Sequence, residues 1–235
     1  MKNRQLALIF FLSIQLLIFG ALISFNELTN FKILSIISSL LCFIVGLFLY
    51  CKTKDYFIMI SALFLTLISD IFILFFDNLS TFGLFILNIV QILYFLRTYI
   101  ESDYKKLNVV TRIVTIPIFI ILGVIVLKDN IDIAAILWII YIVNIFLNIL
   151  FTIKDIGINN FFPIGLLFLF IHASLMMFMS LENYTIVNVT FINVLNVLPF
   201  DIKSIIYLPA QVTLTCSIFT VNRMSFSKIG KEDNN

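Results

Sequence analysis

Charged residues are scarce in this chain: Lys, Arg, Asp and Glu make up 12% of its 235 residues, against a usual share of about 25%. Hydrophobic residues make up 62%, and Phe alone occurs 27 times. A soluble domain of this size would have to expose apolar patches larger than soluble monomers tolerate. The composition therefore predicts an integral membrane protein and excludes a disordered chain or a disulfide scaffold. A net charge of +2 is too small for a nucleic-acid binder.

Potential metal ligands are also few. The sequence has one histidine and three cysteines, and it contains no HExxH, ExxH or paired CxxC motif, which are the spacings that zinc sites use. Cys42, Cys51 and Cys216 lie in or beside apolar runs, where a thiol packs as a small hydrophobic group. We therefore expect neither a metal nor any other cofactor.

Apolar runs separated by short polar breaks define the organisation of the chain. A membrane-spanning helix needs about 20 apolar residues, and we identify eight candidates at residues 6–25, 33–50, 56–76, 81–99, 109–127, 131–152, 161–180 and 202–222. We therefore predict an all-α, polytopic membrane protein, with residues 1–235 forming one compact bundle of eight transmembrane helices. The first run is longer than the apolar core of a signal peptide, so we expect it to be retained.

The distribution of Lys and Arg predicts the orientation in the membrane, because cytoplasmic loops carry an excess of both. With the N-terminus inside, only Lys32, Lys128 and Lys203 of the fifteen basic residues fall outside. We therefore expect both termini to lie on the cytoplasmic side. The asparagine-rich segment 181–201 is predicted to be an outer loop or a helix in the interface.

Two stretches of the sequence indicate an internal repeat. Residues 62–75, ALFLTLISDIFILF, align without gaps on residues 165–178, GLLFLFIHASLMMF. The alignment places the third predicted helix over the seventh, and the fourth over the eighth, with Gln91 opposite Gln211. A parallel four-plus-four helix repeat is one interpretation, and chance similarity between apolar segments is the other.

Asp70 differs from the other acidic residues because it alone lies well inside a predicted span. An ionisable group at the centre of a membrane helix costs at least about 2.5–3.5 kcal/mol, so it normally faces the bundle interior and serves a function. Burial disfavours the charged form of a carboxylic acid. Asp70 is therefore expected to be at least partly protonated, as a general acid must be.

Other polar side chains occupy the middle layers of the predicted spans. Asn88, Gln91 and Tyr94 are three residues apart and form one stripe on the fourth helix, while Tyr207 and Gln211 share one face of the eighth. For each amide, a hydrogen bond to a neighbouring helix is the simpler explanation. The same alternative applies to the single histidine, which is interpreted either as a buried neutral bridge between helices or as a catalytic group.

The third and fourth helices read LISDIFILFFDNLSTFGLFILNIVQILYFLR. This segment resembles the YhhN family of bacterial membrane proteins, whose characterised relatives include animal lysoplasmalogenases. A second matching segment, IIYLPAQVTLTC at residues 205–216, resembles the closing helix of the family. The matching positions are Ser69, Asp70, Phe82, Gly83, Gln91, Tyr94, Tyr207 and Gln211.

The resemblance implies hydrolysis of the vinyl ether bond of lysoplasmalogens, in a bacterial cytoplasmic membrane, to a fatty aldehyde and a glycerophospho head group. Such bonds are cleaved by protonation at carbon, followed by capture of the oxocarbenium ion by water. By this resemblance Asp70 is the catalytic acid, no metal takes part, and the partner is a membrane lipid or lysolipid. Substrate binding or water orientation is implied for Asn88, Gln91, Tyr94, His172, Tyr207 and Gln211.

One position departs from the family pattern. Family members usually carry a second acid in the seventh helix, where this chain has Ala173, preceded by His172. Two interpretations follow: either His172 takes over part of the chemistry, or the chain is a non-catalytic protein that binds or transports a lipid or small amphiphile. A purely structural membrane component is the third class, and it predicts that Asp70→Leu is tolerated.

Overall fold

The computed structural model describes residues 2–24, 28–50, 53–102, 104–127, 132–153, 161–181 and 205–218. This part of the chain forms α-helices and contains no β-strand, which confirms the predicted all-α class. The helices are α1 (Lys2–Ser24), α2 (Leu28–Phe48), α3 (Lys54–Phe75), α4 (Ser80–Glu101), α5 (Lys105–Leu127), α6 (Ile133–Ile153), α7 (Phe161–Leu181) and α8 (Ile205–Ile218). A short 3-10 helix, Asp77–Leu79, joins α3 to α4.

Six of these helices, α1 and α3 to α7, are long and apolar enough to cross a membrane. The other two contain shorter apolar stretches, Lys32–Phe48 in α2 and Ile205–Ile218 in α8. Large apolar side chains cover the outer surface, for example Ile113 and Ile125 of α5. The protein is therefore an integral membrane protein with several spanning helices. The predicted count of eight spans and the four-plus-four repeat stay predictions, and the predicted outer segment 181–201 lies almost entirely outside the described residues.

The helices pack around α3, α4, α6 and α8. α4 lies between α3 and α6, α2 packs on α3, α1 packs on α2, and both α5 and α7 pack on α6. α8 is in contact with three of the other helices through Tyr207, which reaches α3, Ser217, which reaches α4, and Leu214, which lies against Gly165 of α7. This buried helix therefore brings the chain's last described segment into the middle of the bundle.

The close contact between α3 and α4 determines which way Asp70 faces. The Ser69 hydroxyl donates to the Gly83 carbonyl oxygen at 2.8 Å, and a Cβ atom at position 83 would lie 2.6 Å from Ile73 Cγ1. Ser69 therefore faces α4 at a point where only glycine allows so close an approach. Since successive residues of a helix are rotated by about 100°, Asp70 faces a different set of neighbours, on α2 and α8.

The first turn of α3 is fixed by local capping. The Thr53 side chain accepts a hydrogen bond from the Tyr56 backbone N–H at 3.2 Å, which satisfies one of the unpaired donors at a helix N-terminus. Asp55 lies in the same turn, where the helix dipole favours a negative charge.

Cys42 and Cys216 are buried free thiols, whereas the third cysteine lies outside the described residues.

Candidate active site

The Asp70 carboxyl lies inside the bundle, with the residue 7% exposed. The Tyr207 hydroxyl of α8 donates to its Oδ1 at 2.7 Å and its Oδ2 at 2.8 Å. The Ser39 hydroxyl of α2 donates to Oδ2 at 2.5 Å. Within the described part of the chain, the only ion pair joins two other residues, Arg97 and Asp55. Asp70 is therefore bound by neutral hydroxyl groups from two neighbouring helices and has no cationic partner there.

His172 reaches this site through Tyr207. The two rings lie 4.8 Å apart between centroids, at an angle of 40°, so the imidazole of α7 is adjacent to the phenol that binds Asp70. The next residue, Ala173, is fully buried in the apolar core. The position where the family pattern has its second acid therefore carries only a methyl group, and His172 is the titratable side chain that α7 brings near Asp70.

Three tyrosines from three different helices lie near the carboxyl, and one of them, Tyr207, contacts it directly. Tyr94 of α4, Tyr141 of α6 and Tyr207 of α8 all lie within electrostatic range of Asp70. Tyr141 is 2% exposed and was not predicted as a site residue. Its spacing from Asn144 and Asn148, three and seven residues on, places it on their face of α6, which is the signal that the sequence offered.

The predicted polar stripe on α4 is buried, but its members do different things. The Asn88 amide N–H groups donate to the carbonyl oxygens of Leu84, at 3.0 Å, and Leu137, at 3.1 Å, so this side chain ties α4 to α6. Gln91 Oε1 accepts from Asn148 at 3.1 Å. Gln91 Nε2, beside the Tyr141 phenol, and the Tyr94 hydroxyl, beside Thr66, have no hydrogen-bond partner within 3.5 Å among the described residues. Two polar groups of the stripe thus remain available for a ligand.

Gln211, the last predicted site residue, is buried one turn beyond Tyr207 on α8. Its backbone carbonyl accepts from Thr215, and no hydrogen bond joins its side chain to Asp70 within the described structure. In the structure, Asp70 contacts Tyr207, Tyr207 contacts His172, and Tyr94 lies close to this group. Gln91 is connected to this group through its neighbour Tyr141.

Arg112 forms a second polar cluster that the sequence interpretation missed, because this residue was assigned to a cytoplasmic segment. Its guanidinium donates from Nε to Asn108 at 2.9 Å, from Nη1 to Asn144 at 2.8 Å and from Nη2 to Asn148 at 2.7 Å. The group also lies over the Phe95 ring, 4.4 Å from its centroid. The four-residue spacing within each helix, at 108 and 112 and at 144 and 148, was the available signal.

A third polar cluster contains a buried ion pair between α3 and α4. Arg97 Nε lies 2.6 Å from Asp55 Oδ1, with the two side chains 0% and 13% exposed. Arg97 Nη1 donates to the Ser217 hydroxyl at 2.7 Å, and the guanidinium lies 4.2 Å from the centroid of the Phe162 ring. The Arg97 side chain of α4 therefore contacts residues of three other helices. From the sequence, Arg97 and Asp55 had both been placed at the ends of predicted spans.

Comparison of the chain with models of protein families, with curated proteins and with solved structures finds no match. The resemblance to the YhhN family accordingly rests on the short motifs alone. In the described part of the chain, no group of three or more His, Cys, Asp or Glu side chains is arranged to hold a metal ion. The chemistry available at Asp70 is that of a carboxyl group, the Ser39 hydroxyl, phenols, an amide and an imidazole.

Proposed function

We propose that the chain is a lysoplasmalogenase-like membrane hydrolase, which cleaves the vinyl ether bond of lysoplasmalogens by acid catalysis. The observation that carries the proposal is the environment of Asp70: buried, bound to the hydroxyls of Ser39 and Tyr207, and without a cationic partner in the described structure. A carboxyl that no cation holds in its ionised form can serve as a proton donor.

The proposed reaction begins with transfer of the Asp70 proton to the double-bond carbon farther from the ether oxygen, the one that carries the hydrocarbon chain. The π electrons form the new C–H bond, the ether oxygen shares the resulting positive charge, and the Asp70 carboxylate balances it. Water then adds to the carbon beside the oxygen and returns a proton to the carboxylate. The hemiacetal that forms breaks its C–O bond, giving the aldehyde and the free glycerol hydroxyl.

The tyrosines near Asp70 stabilise positive charge and position water. Aromatic faces attract cations, so the rings of Tyr94, Tyr141 and Tyr207 stabilise the oxocarbenium ion, and the hydroxyls of Tyr141 and Tyr207 orient the attacking water. Gln91, Gln211 and Asn88 hold substrate or water on the neighbouring faces. His172, in contact with Tyr207, takes the part of an auxiliary base or charge partner that the missing acid at Ala173 would otherwise play.

The proposed topology has eight spans with both termini in the cytoplasm of a bacterial cell, built as a parallel four-plus-four helix repeat. The eight apolar helices and the strong asymmetry of Lys and Arg support it. In this arrangement Asp70 lies five residues from the outer end of α3, roughly 8 Å below that surface at 1.5 Å per residue. A single-chain lipid can reach such a depth directly from the bilayer.

Asp70→Asn tests the proposal. The amide oxygen can still accept from Ser39 and Tyr207, but the side chain has no acidic proton to donate. Purified protein carrying this change is expected to lose about 100-fold or more in the rate of aldehyde release from lysoplasmalogen, with its unfolding curve close to wild type. Asp132→Asn is the matched control, because this exposed acid only caps α6. Full activity of Asp70→Asn would remove Asp70 from the mechanism.

A non-catalytic lipid- or amphiphile-binding protein, or a transporter, is the second candidate. The observation that favours it is Ala173, which places an apolar, fully buried residue where the family pattern has an acid. Wild-type protein that binds lysolipid at equilibrium, yet releases no aldehyde on prolonged incubation, would decide for this candidate and against the hydrolase.

A further inference from the structure

A chain of hydrogen bonds with fixed directions runs from Arg112 toward the interior. The guanidinium has N–H donors and no acceptor, so any amide that bonds to it must present its oxygen. Asn144 and Asn148 both do so, at 2.8 Å and 2.7 Å. Arg112 thereby determines which way the two amide groups of α6 are turned.

The orientation of Asn148 in turn determines that of Gln91. With its oxygen on Arg112, Asn148 directs Nδ2 at Gln91 and donates to its Oε1 at 3.1 Å and to its backbone carbonyl at 3.3 Å. Because Nδ2 can only donate, Gln91 must offer its oxygen on that side. Its own Nε2 is therefore turned the other way.

That Nε2 group has no hydrogen-bond acceptor within 3.5 Å among the described residues, although Gln91 is 0% exposed and the Tyr141 phenol lies beside it. The Tyr94 hydroxyl, one turn further along α4, lies beside Thr66 and is also buried without a hydrogen-bond partner within 3.5 Å in the described structure. The amide lies beside the Tyr141 phenol, and both tyrosines lie within electrostatic range of Asp70. A buried donor left unpaired costs about 1–3 kcal/mol, which a ligand oxygen at this position would recover.

We propose that Gln91 Nε2 and the Tyr94 hydroxyl bind an uncharged oxygen of the lipid, the ether or glycerol oxygen, and that Arg112 and Asn148 are positioning residues that keep the amide donor turned toward it. This inference rests on the proposed function for the identity of the lipid. The phosphate of the same lipid would need a cation, and the two described cations nearby bind other groups: Arg97, within electrostatic range of Tyr94, binds Asp55, and Arg112 binds the amides of α6.

Two substitutions of asparagine by aspartate test whether Asn148 positions the Gln91 amide or only supports the fold. Asn148→Asp keeps an acceptor for Arg112 but loses the donor to Gln91, so the new carboxylate attracts Nε2 and turns the Gln91 amide over. Asn144→Asp places the same charge on the same guanidinium. However, among the described residues the Nδ2 group of Asn144 bonds only to the Ile140 carbonyl, one turn back on its own helix, so Gln91 is undisturbed. Both variants are expected to fold, because each strengthens the bond to Arg112.

The probe is a lysophospholipid with a saturated 1-O-alkyl chain, which has the ether oxygen but no vinyl bond to cleave. Its affinity for protein in lipid nanodiscs is expected to fall about tenfold in Asn148→Asp, the loss of one hydrogen bond, and to stay at the wild-type value in Asn144→Asp. The four glutamines of the chain, labelled with ¹⁵N, give a second readout. The Gln91 side-chain signal, assigned by its loss in Gln91→Glu, should shift with lipid in wild type and in Asn144→Asp only.

Equal losses of affinity in the two variants would show a structural role and overturn the inference. Wild-type affinity in Asn148→Asp, or no binding of the probe to wild type, would overturn it as well. The proposed function is tested separately, by aldehyde release from lysoplasmalogen. If the variants bind the probe with the expected difference but wild-type protein releases no aldehyde, the binding site stands and the hydrolase is refuted.

Discussion

Replacing Arg97 by methionine is expected to be the most destabilising single change at the α3–α4 contact. The substitution keeps a long apolar side chain over Phe162 but removes the partner of Asp55, whose side chain is only 13% exposed. It also removes the donor to Ser217, a hydroxyl that links α8 to α4. In the Arg97→Met variant, Asp55 is therefore expected to be a buried acid without a cationic partner.

The magnitude follows from the burial of the pair. Removing one member of a buried ion pair costs about 3–5 kcal/mol, because the remaining charge stays desolvated, whereas replacing both members by apolar side chains is often close to neutral. We therefore expect Arg97→Met to lower the free energy of unfolding by about 3 kcal/mol, and the double change with Asp55→Leu to recover most of that loss. Titration from mild detergent into SDS measures it, with the fluorescence of Trp138, the single tryptophan, as the signal.

Arg97→Lys serves as the control, because it keeps the charge but loses the planar group that serves Asp55, Ser217 and Phe162 together. We expect the free energy of unfolding of Arg97→Lys to lie between the values for wild type and Arg97→Met. The reasoning is refuted if Arg97→Met costs less than about 1 kcal/mol, or if the double variant is as unstable as the sum of its single changes, since the cycle would then contain no coupling.

Two further changes test other contacts of the bundle. Tyr207→Phe removes the hydroxyl that donates to both oxygens of Asp70; we expect roughly a tenfold or greater loss in the rate of aldehyde release, with a stability cost of about 1–2 kcal/mol, and an unchanged rate would contradict the assigned role. Gly165→Ala would place a Cβ atom 2.8 Å from Leu214 Cγ, so unfolding titrations should show a loss of about 1–3 kcal/mol. Gly20→Ala, with no atom within 4 Å of its Cβ, should instead stabilise the protein by up to about 1 kcal/mol, and equal effects of the two glycine changes would contradict the close α7–α8 contact.

Hydropathy alone located the helices, because the bilayer demands long apolar segments and each break contains charged or turn-forming residues. The predicted run at 56–76 became α3 at Lys54–Phe75, and the run at 109–127 became α5 at Lys105–Leu127. The eighth run was predicted at 202–222, and its described helix is Ile205–Ile218. An acid inside such a run is conspicuous for the same reason, so the sequence singled out Asp70.

Partners from distant parts of the chain were not predictable in this way. Asp70 meets Ser39 and Tyr207, which lie 31 and 137 residues away, and Arg112 meets amides of α6. In a soluble helix the polar face marks the outside, but here both lipid and core are apolar, so hydropathy does not show how each helix is rotated or which helices are neighbours.

The sequence by itself therefore determined that this is a helical membrane protein, where its helices lie along the chain, and that it carries an acid at depth. Only the tertiary structure decided that Ser69 faces α4 while Asp70 faces α2 and α8, and that Gln91 turns its N–H group away from Asn148. The physical reason is that composition is a property of each segment, whereas the direction of a hydrogen bond depends on which donor or acceptor a neighbouring helix presents.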